Sequence, residues 1–263
     1  MSKYDVASAQ FEPTQADKTI LQDTTQNYRV LDVQGFGQPN SSYFHKTVGG
    51  YHAAKLARYN DLIDRQISRN NMQVLNMLNT RWVKVDANTA QLNPAALGNA
   101  WFVDSLTFVK GADAEMKFLD HFNAANSAVA DEQFKAVLGN AVPKTPGDTI
   151  YETTYAPNRL TYHSHSAKGG VAVFSEVYFP WGWQVTIDGK PAELGRVNYV
   201  LRALQVPAGD HKIEMKFEPE QVESADSAAK VAIMLIFVAV IAAIVVPVIR
   251  NRKKSDGKTA GNA

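Results

Sequence analysis

The chain has 263 residues, more than one ordinary domain requires, and at 45% hydrophobic and 20% charged it is neither a disordered nor a collagen-like polymer. Lys plus Arg number 27 against 26 acidic residues, so no global positive field invites nucleic acid. Cysteine is absent, which excludes disulfide scaffolds, thiol nucleophiles and Cys-ligated metals.

In chain order, Tyr28–Val33 reads as a strand and Gly35–Ser42 as a Gly/Pro/Asn/Ser loop. Leu56, Tyr59, Leu62 and Ile63 have the i, i+3, i+4 spacing of an amphipathic helix over residues 52–66. A second helix covers Met72–Leu78. Arg81–Val85 alternates as a strand, and Trp101–Val109 reads as one continuous strand. Ala112–Phe122 and Asp131–Leu138 look like short surface helices. After the linker Val142–Asp148 come strands at Leu160–Ser166, Val171–Tyr178, Trp183–Ile187, Tyr199–Val206 and His211–Phe217. Asp188-Gly189 is the dipeptide of a two-residue type I′ hairpin turn, since both positions tolerate φ > 0. In the last strand Ile213, Met215 and Phe217 share one face and Lys212, Glu214 and Lys216 the other.

The run Val231–Ile249, VAIMLIFVAVIAAIVVPVI, has no charged side chain. As a helix it would be about 28 Å long, close to the ~30 Å of a bilayer's hydrocarbon, and no face carries a polar stripe. Arg250, Arg252, Lys253 and Lys254 follow it, so the positive-inside bias places the tail in the cytoplasm and residues 1–229 outside. The N-terminus has no apolar segment to drive export. Two readings meet that fact: a tail-anchored cytosolic protein, or the C-terminal piece of a larger protein whose membrane helices lie upstream. The second avoids carrying the basic cluster across the bilayer. The expected architecture is therefore α+β: a mixed α/β extracytoplasmic portion over 1–145, an antiparallel β-sandwich over 146–222, a juxtamembrane linker over 223–230, a transmembrane helix over 231–249 and a basic tail over 250–263.

Three stretches, Phe179-Pro-Trp-Gly-Trp-Gln-Val-Thr-Ile-Asp-Gly-Lys190, Arg196–His211 and Phe217-Glu-Pro219, closely resemble the C-terminal end of YfhO-like bacterial membrane proteins. Ser41–Tyr59 and Leu75–Asn79 look like the version found in Bacteroidetes, and the resemblance runs over roughly residues 20–250. That family is similar to GT-C glycosyltransferases. The resemblance implies many membrane helices followed by an extracytoplasmic domain, and transfer of sugars from a polyprenyl-phosphate carrier to cell-envelope acceptors. It also implies that the catalytic acid lies in an early exterior loop. No residue here carries over as that group, so no catalytic residue is expected in this chain, nor a cofactor. The partners implied are the bilayer, the upstream helices, and the lipid-linked sugar or acceptor glycan. A different reading is a non-catalytic, membrane-anchored module that binds envelope glycan or protein.

The densest polar cluster is His45, Lys46, Gly49, Gly50, Tyr51, His52, Lys55 and Arg58. Two glycines permit close backbone approach, and N–H groups at a following helix N-terminus, with cations beside them, suit a phosphate or pyrophosphate. The plain alternative is a loop-to-helix junction with solvated Lys and Arg. There is no P-loop pattern, and neither GxSxG nor HExxH occurs. His163 and His165 share a strand face but lack a third ligand, so no metal is expected. Trp181 and Trp183 offer a sugar-stacking platform. Trp183 is better explained as core, while Trp181 suits a ligand or a membrane interface. Arg196 and Arg202 are expected to pair with Glu193 or Glu176.

Overall fold

A computed structural model describes residues 11–219, 229–241 and 243. The described residues up to Phe217 form one compact unit, and those from Glu218 onward belong to a second.

The first unit begins with a small α/β layer. Helix α1 (Gln15–Leu21) opens with a capping box in which Thr14 and Asp17 satisfy each other's backbone N–H groups. Strand β1 (Arg29–Asp32) pairs in parallel with β2 (Thr80–Lys84), and β3 (Ala90–Leu92) pairs antiparallel to β2. Parallel neighbours need a crossover, here supplied by α2 (Pro39–Phe44), α3 (Ala57–Arg65) and α4 (Met72–Met77). Pro39 at the first turn starts α2 within the segment expected to be loop. Helix α3 begins only at Ala57, so residues 52–56 precede it as irregular chain.

The stretch expected to be one strand over Trp101–Val109 breaks. Strand β4 (Ala100–Phe102) joins β9 (Gly170–Val177), whereas β5 (Ser105–Val109) pairs in parallel with β6 (Ser127–Asp131) across helix α5 (Ala112–Phe118). The break falls where the backbone N–H of Val103 goes to Val171 O and that of Asp104 to Asn126 O. The helix expected over Asp131–Leu138 is present as a 3-10 turn, Glu132–Phe134, followed by α6 (Lys135–Leu138), with Asp131 itself closing β6.

The remaining strands build two antiparallel sheets. β7 (Thr149–Ala156), β8 (Arg159–Ser166), β14 (Gly209–Phe217), β10 (Trp183–Ile187) and β11 (Lys190–Ala192) form a five-stranded sheet. β12 (Gly195–Val197), β13 (Leu201–Val206), β9 and β4 form a four-stranded one. Their facing side chains, among them Phe102, Tyr162, Phe174, Leu204, Ile213 and Met215, make one core. Val171, Val173, Leu201 and Ala203 point the other way, into a second core with Val74, Leu75, Leu78, Met116 and Val129. The four-stranded sheet is thus a central layer covered on both faces, which is why β9 reads GVAVFSEV with hardly a polar break. The links β8–β9 and β13–β14 each cross between sheets rather than closing hairpins. The β10–β11 link is a true two-residue turn: Ile187 pairs with Lys190, and Asp188 and Gly189 have φ of 51° and 78°.

In the second unit the described helix covers residues 229–241, and its apolar side chains are exposed. This corrects the expected fold class. Among the described residues no helix is long and apolar enough to cross a membrane, and the transmembrane helix expected over 231–249 is not shown. Residues 242 and 244–249 of that span, and the basic tail over 250–263, lie outside the described residues.

Candidate functional site

The end of β9 and the loop after it, the β12–β13 turn and the start of α3 enclose a cleft of about 390 Å³. Its walls are mainly aromatic: Tyr59, Phe134, Tyr178, Phe179, Trp181 and Tyr199 line it, with Arg58 and Arg196 among them. The Trp181 ring stands edge-on to Phe179 with centroids 5.2 Å apart and is 63% exposed, so its face is available to a ligand. Phe134 meets Tyr178 edge-on at 5.7 Å.

A buried charge cluster fixes one wall. Glu115 of α5 has no solvent exposure, and its Oε2 accepts from Arg58 at 2.9 Å and Arg196 at 3.3 Å. Glu115 Oε1 and Arg196 Nε are buried without hydrogen-bond partners. Arg58 also donates to the Tyr199 carbonyl at 3.2 Å and lies 4.4 Å over the Tyr199 ring, while Arg196 lies 5.1 Å over Phe134. Burial pushes the Arg196 guanidinium below its ordinary value, against the pull of Glu115. It pushes the Tyr178 and Tyr199 hydroxyls up. Two cations therefore share one carboxylate at the edge of an aromatic cleft.

The turn carrying Tyr199 is strained. Asn198 and Tyr199 have φ of 49° and 71°, a conformation that costs a bulky side chain on the order of 1–3 kcal/mol. Asn198 is held by backbone and side-chain bonds to Val129, at 2.7 and 3.0 Å, and the Tyr199 hydroxyl donates to Asp61 at 2.9 Å. The surroundings thus impose a costly backbone at a residue whose ring forms the cleft wall.

The polar cluster singled out in the sequence is dispersed. His45 is buried, its Nε2 2.8 Å from Asp17 Oδ1. Lys46 donates to Asn27 at 2.7 Å and lies 3.4 Å over the Tyr155 ring. Gly49, Gly50, His52 and Lys55 line a smaller hollow of about 240 Å³, joined to the aromatic cleft through Leu56, Tyr59 and Val177. Gly50 has φ of 63° and donates its N–H to Thr47, so the glycine pair makes a turn and is separated from the helix N-terminus. Tyr51 is exposed, and His52 donates from Nδ1 to Ala54 O, 3.0 Å away. Arg58 and Trp181 alone of the set line the larger cleft.

Sequence reasoning missed Glu115, Phe134 and Tyr199, and expected the wrong partner for Arg196. Ala112, Glu115, Met116 and Leu119 have the spacing of a buried helical stripe, so a carboxylate at a core position was the available signal. Arg202 finds no carboxylate within 4.0 Å among the described residues; it lies 3.8 Å over Trp183 and donates to Val177 O. His163 packs on Tyr151 and His165 bonds Asp210, and no group of metal-ligating side chains occurs among the described residues.

No protein-family model and no solved structure matches the chain. Over 98 residues it is 24% identical to "Uncharacterized protein YfhO" of Bacillus subtilis (strain 168), a match covering 37% of this chain and 11% of that protein. The chain therefore spans only about a tenth of that relative's length. The likeness supports a YfhO-like relationship over part of the chain, and it does not extend to the Bacteroidetes version expected from residues 41–59 and 75–79.

Proposed function

We propose that this chain is the ligand-positioning region of a YfhO-like glycosyltransferase of the cytoplasmic membrane, working on the extracytoplasmic side. In this reading the aromatic cleft holds the acceptor glycan of a cell-envelope polymer, or the sugar of a polyprenyl-phosphate-linked donor, and chemistry is performed elsewhere in such a protein. The observation that carries the reading is the cleft itself: an exposed Trp181 face beside Tyr178 and Tyr199, with Arg58 and Arg196 at its edge. Aromatic faces cover the apolar faces of pyranose rings, and guanidinium groups donate to ring hydroxyls or to phosphate.

The cleft suits binding better than transfer. Its neighbouring carboxylate, Glu115, is fully buried and already engaged by two arginines, so it is poorly placed as a general base. That favours positioning within a larger enzyme, and equally a non-catalytic envelope glycan-binding module.

Titration of the chain with oligosaccharides released from envelope glycopolymers, followed by tryptophan fluorescence, tests the reading. Saturable binding that Trp181→Ala abolishes is expected. Absence of binding by any envelope glycan, together with unchanged envelope sugar composition after deletion of the full-length gene, would overturn it. Sugar transfer by the 263-residue chain alone would overturn the separation of binding from chemistry.

A further inference from the structure

Away from the cleft, the fold brings together two glutamates that lie far apart in sequence. Glu152 is on β7 of the five-stranded sheet and Glu176 on β9 of the four-stranded one. The side-chain amide of Asn27 donates to both, at 3.2 Å to Glu152 Oε1 and 3.0 Å to Glu176 Oε1. The two oxygens are therefore within about 6 Å of each other. Asn99 donates to the other oxygen of Glu152 at 3.1 Å. Asn79 ties the two amides together, donating to Asn27 O at 3.2 Å and Asn99 Oδ1 at 2.7 Å.

The charges facing Glu152 come from every side of this knot. Glu176 approaches from β9, and Tyr162 from β8, buried, with no well-formed hydrogen bond to its hydroxyl. Lys46 approaches from the segment after α2, held on Asn27 Oδ1 and over the Tyr155 ring. Arg202 of β13 faces Glu176 and Tyr162 from within the sandwich. Arg29 of β1 is spent on the carbonyls of Leu78 and Ser175. Glu152 also lines an open hollow of about 400 Å³ with Gln26, Asn99 and Tyr151, so a proton can reach it from solvent.

We infer that Glu152, Glu176 and Asn27 form a proton-operated clasp that holds segments 25–28 and 45–50 against the two sheets. With one proton on the pair, a single amide bridges one charged and one neutral carboxyl group. When that proton leaves to solvent, two like charges face each other across one nitrogen and the clasp loosens. Burial, with Glu176 adding to it, already pushes the Glu152 carboxyl up to about 7, so the change falls near neutrality. Lys46 passes the change on, because Thr47, Val48, Gly49 and Gly50 line the hollow that joins the aromatic cleft.

Amide hydrogen exchange of the full chain at pH 5.5 and 8.5, corrected for intrinsic exchange chemistry, tests the clasp. Opening of residues 25–30 and 45–50 is expected to rise about tenfold at the higher pH in the wild type and to stay constant in Glu152→Gln. Equal protection at both pH values in the wild type, or a pH response retained in Glu152→Gln, would overturn the inference. Should the variant fail to fold, carboxyl carbon NMR of the wild type decides. Titration of Glu152 near neutrality supports the clasp, and titration in the ordinary carboxylate range refutes it.

Discussion

Lys84 reaches from β2 to Asp17 on α1, placing its Nζ 2.9 Å from Asp17 Oδ1 and 3.3 Å from Asp32 Oδ2 on β1. All three residues are buried, and Thr14, Ser41, Gly35 and His45 supply the remaining hydrogen bonds to the two carboxylates. Removing the cation leaves two buried carboxylates without the charge that balances them, a loss of about 3–5 kcal/mol. Lys84→Met is therefore expected to lower the urea midpoint sharply, and a midpoint equal to wild type would show the pair to be dispensable. Burial alone would raise the Asp17 carboxyl, but bonds from Lys84, Thr14 and His45 hold it at about 2. A carboxyl depressed on folding gives stability that is present above its unfolded value near 4 and is lost as pH falls toward 2. The wild type's advantage over Asp17→Asn should shrink through that window.

Glu115 is a further buried carboxylate, holding two arginines at the cleft wall. Glu115→Ala leaves Arg58 and Arg196 without their anion, and Arg196 is the more enclosed, its side chain 12% exposed against 31% for Arg58. Thermal unfolding should rank the losses Glu115→Ala, about 3 kcal/mol or more, above Arg58→Ala. The reverse order would mean that Arg58 anchors the cleft through Tyr199 rather than through Glu115.

At the sheet crossover, Gly169 has φ of 71°, and a Cβ there would lie 2.5 Å from Val206 O and 2.8 Å from the Pro207 carbonyl carbon. Both contacts are with backbone, so the crossover cannot yield cheaply. Gly139, at φ of 57° with no atom within 4 Å, gives the control for conformational strain alone. Gly139→Ala should cost more than about 1 kcal/mol, because φ of 57° with ψ of −144° is a region that essentially only glycine occupies. Gly169→Ala should cost at least twice that in chemical denaturation; equal losses would mean that the crossover relaxes around the added methyl.

Local chemistry was legible in this sequence and long-range pairing was not. The Asp188-Gly189 turn could be read because two adjacent residues suffice to specify it, and Ile213 and Met215 because strand alternation is local. The break after Phe102 could not, since Val103 and Asp104 turn away to bond Val171 and Asn126. His45 looked like a ligand because its buried partner, Asp17, lies on another element. The cleft followed the same rule. Trp181 stood out with its near neighbour Trp183, whereas Tyr199, Phe134 and Glu115 became one site only once β6, β12 and α5 were packed together. The apolar run at 231–249 carried a strong compositional signal; helix is described there at residues 229–241 and 243, and the rest of the run lies outside the described residues.

The Glu152–Glu176 pair makes stability depend on pH in the opposite sense to Asp17. A carboxyl raised on folding contributes stability that is fully present below its unfolded value, near 4.5, and is lost as pH rises through its folded value, about 7 here. Glu152 is only partly enclosed, so solvent screening reduces the effect to about 1–2 kcal/mol. Glu152→Gln keeps the shape and an acceptor for Asn27 or Asn99 while removing the charge. Relative to wild type, that variant should therefore gain stability between pH 5 and pH 8.5, with most of the gain between about 5 and 7 and little above 7.5. Urea melts of both proteins across that range measure it directly. A constant difference would show that Glu152 titrates alike in the folded and unfolded chains, and a difference that moves the other way would mean Lys46, not Glu176, dominates the charge around it.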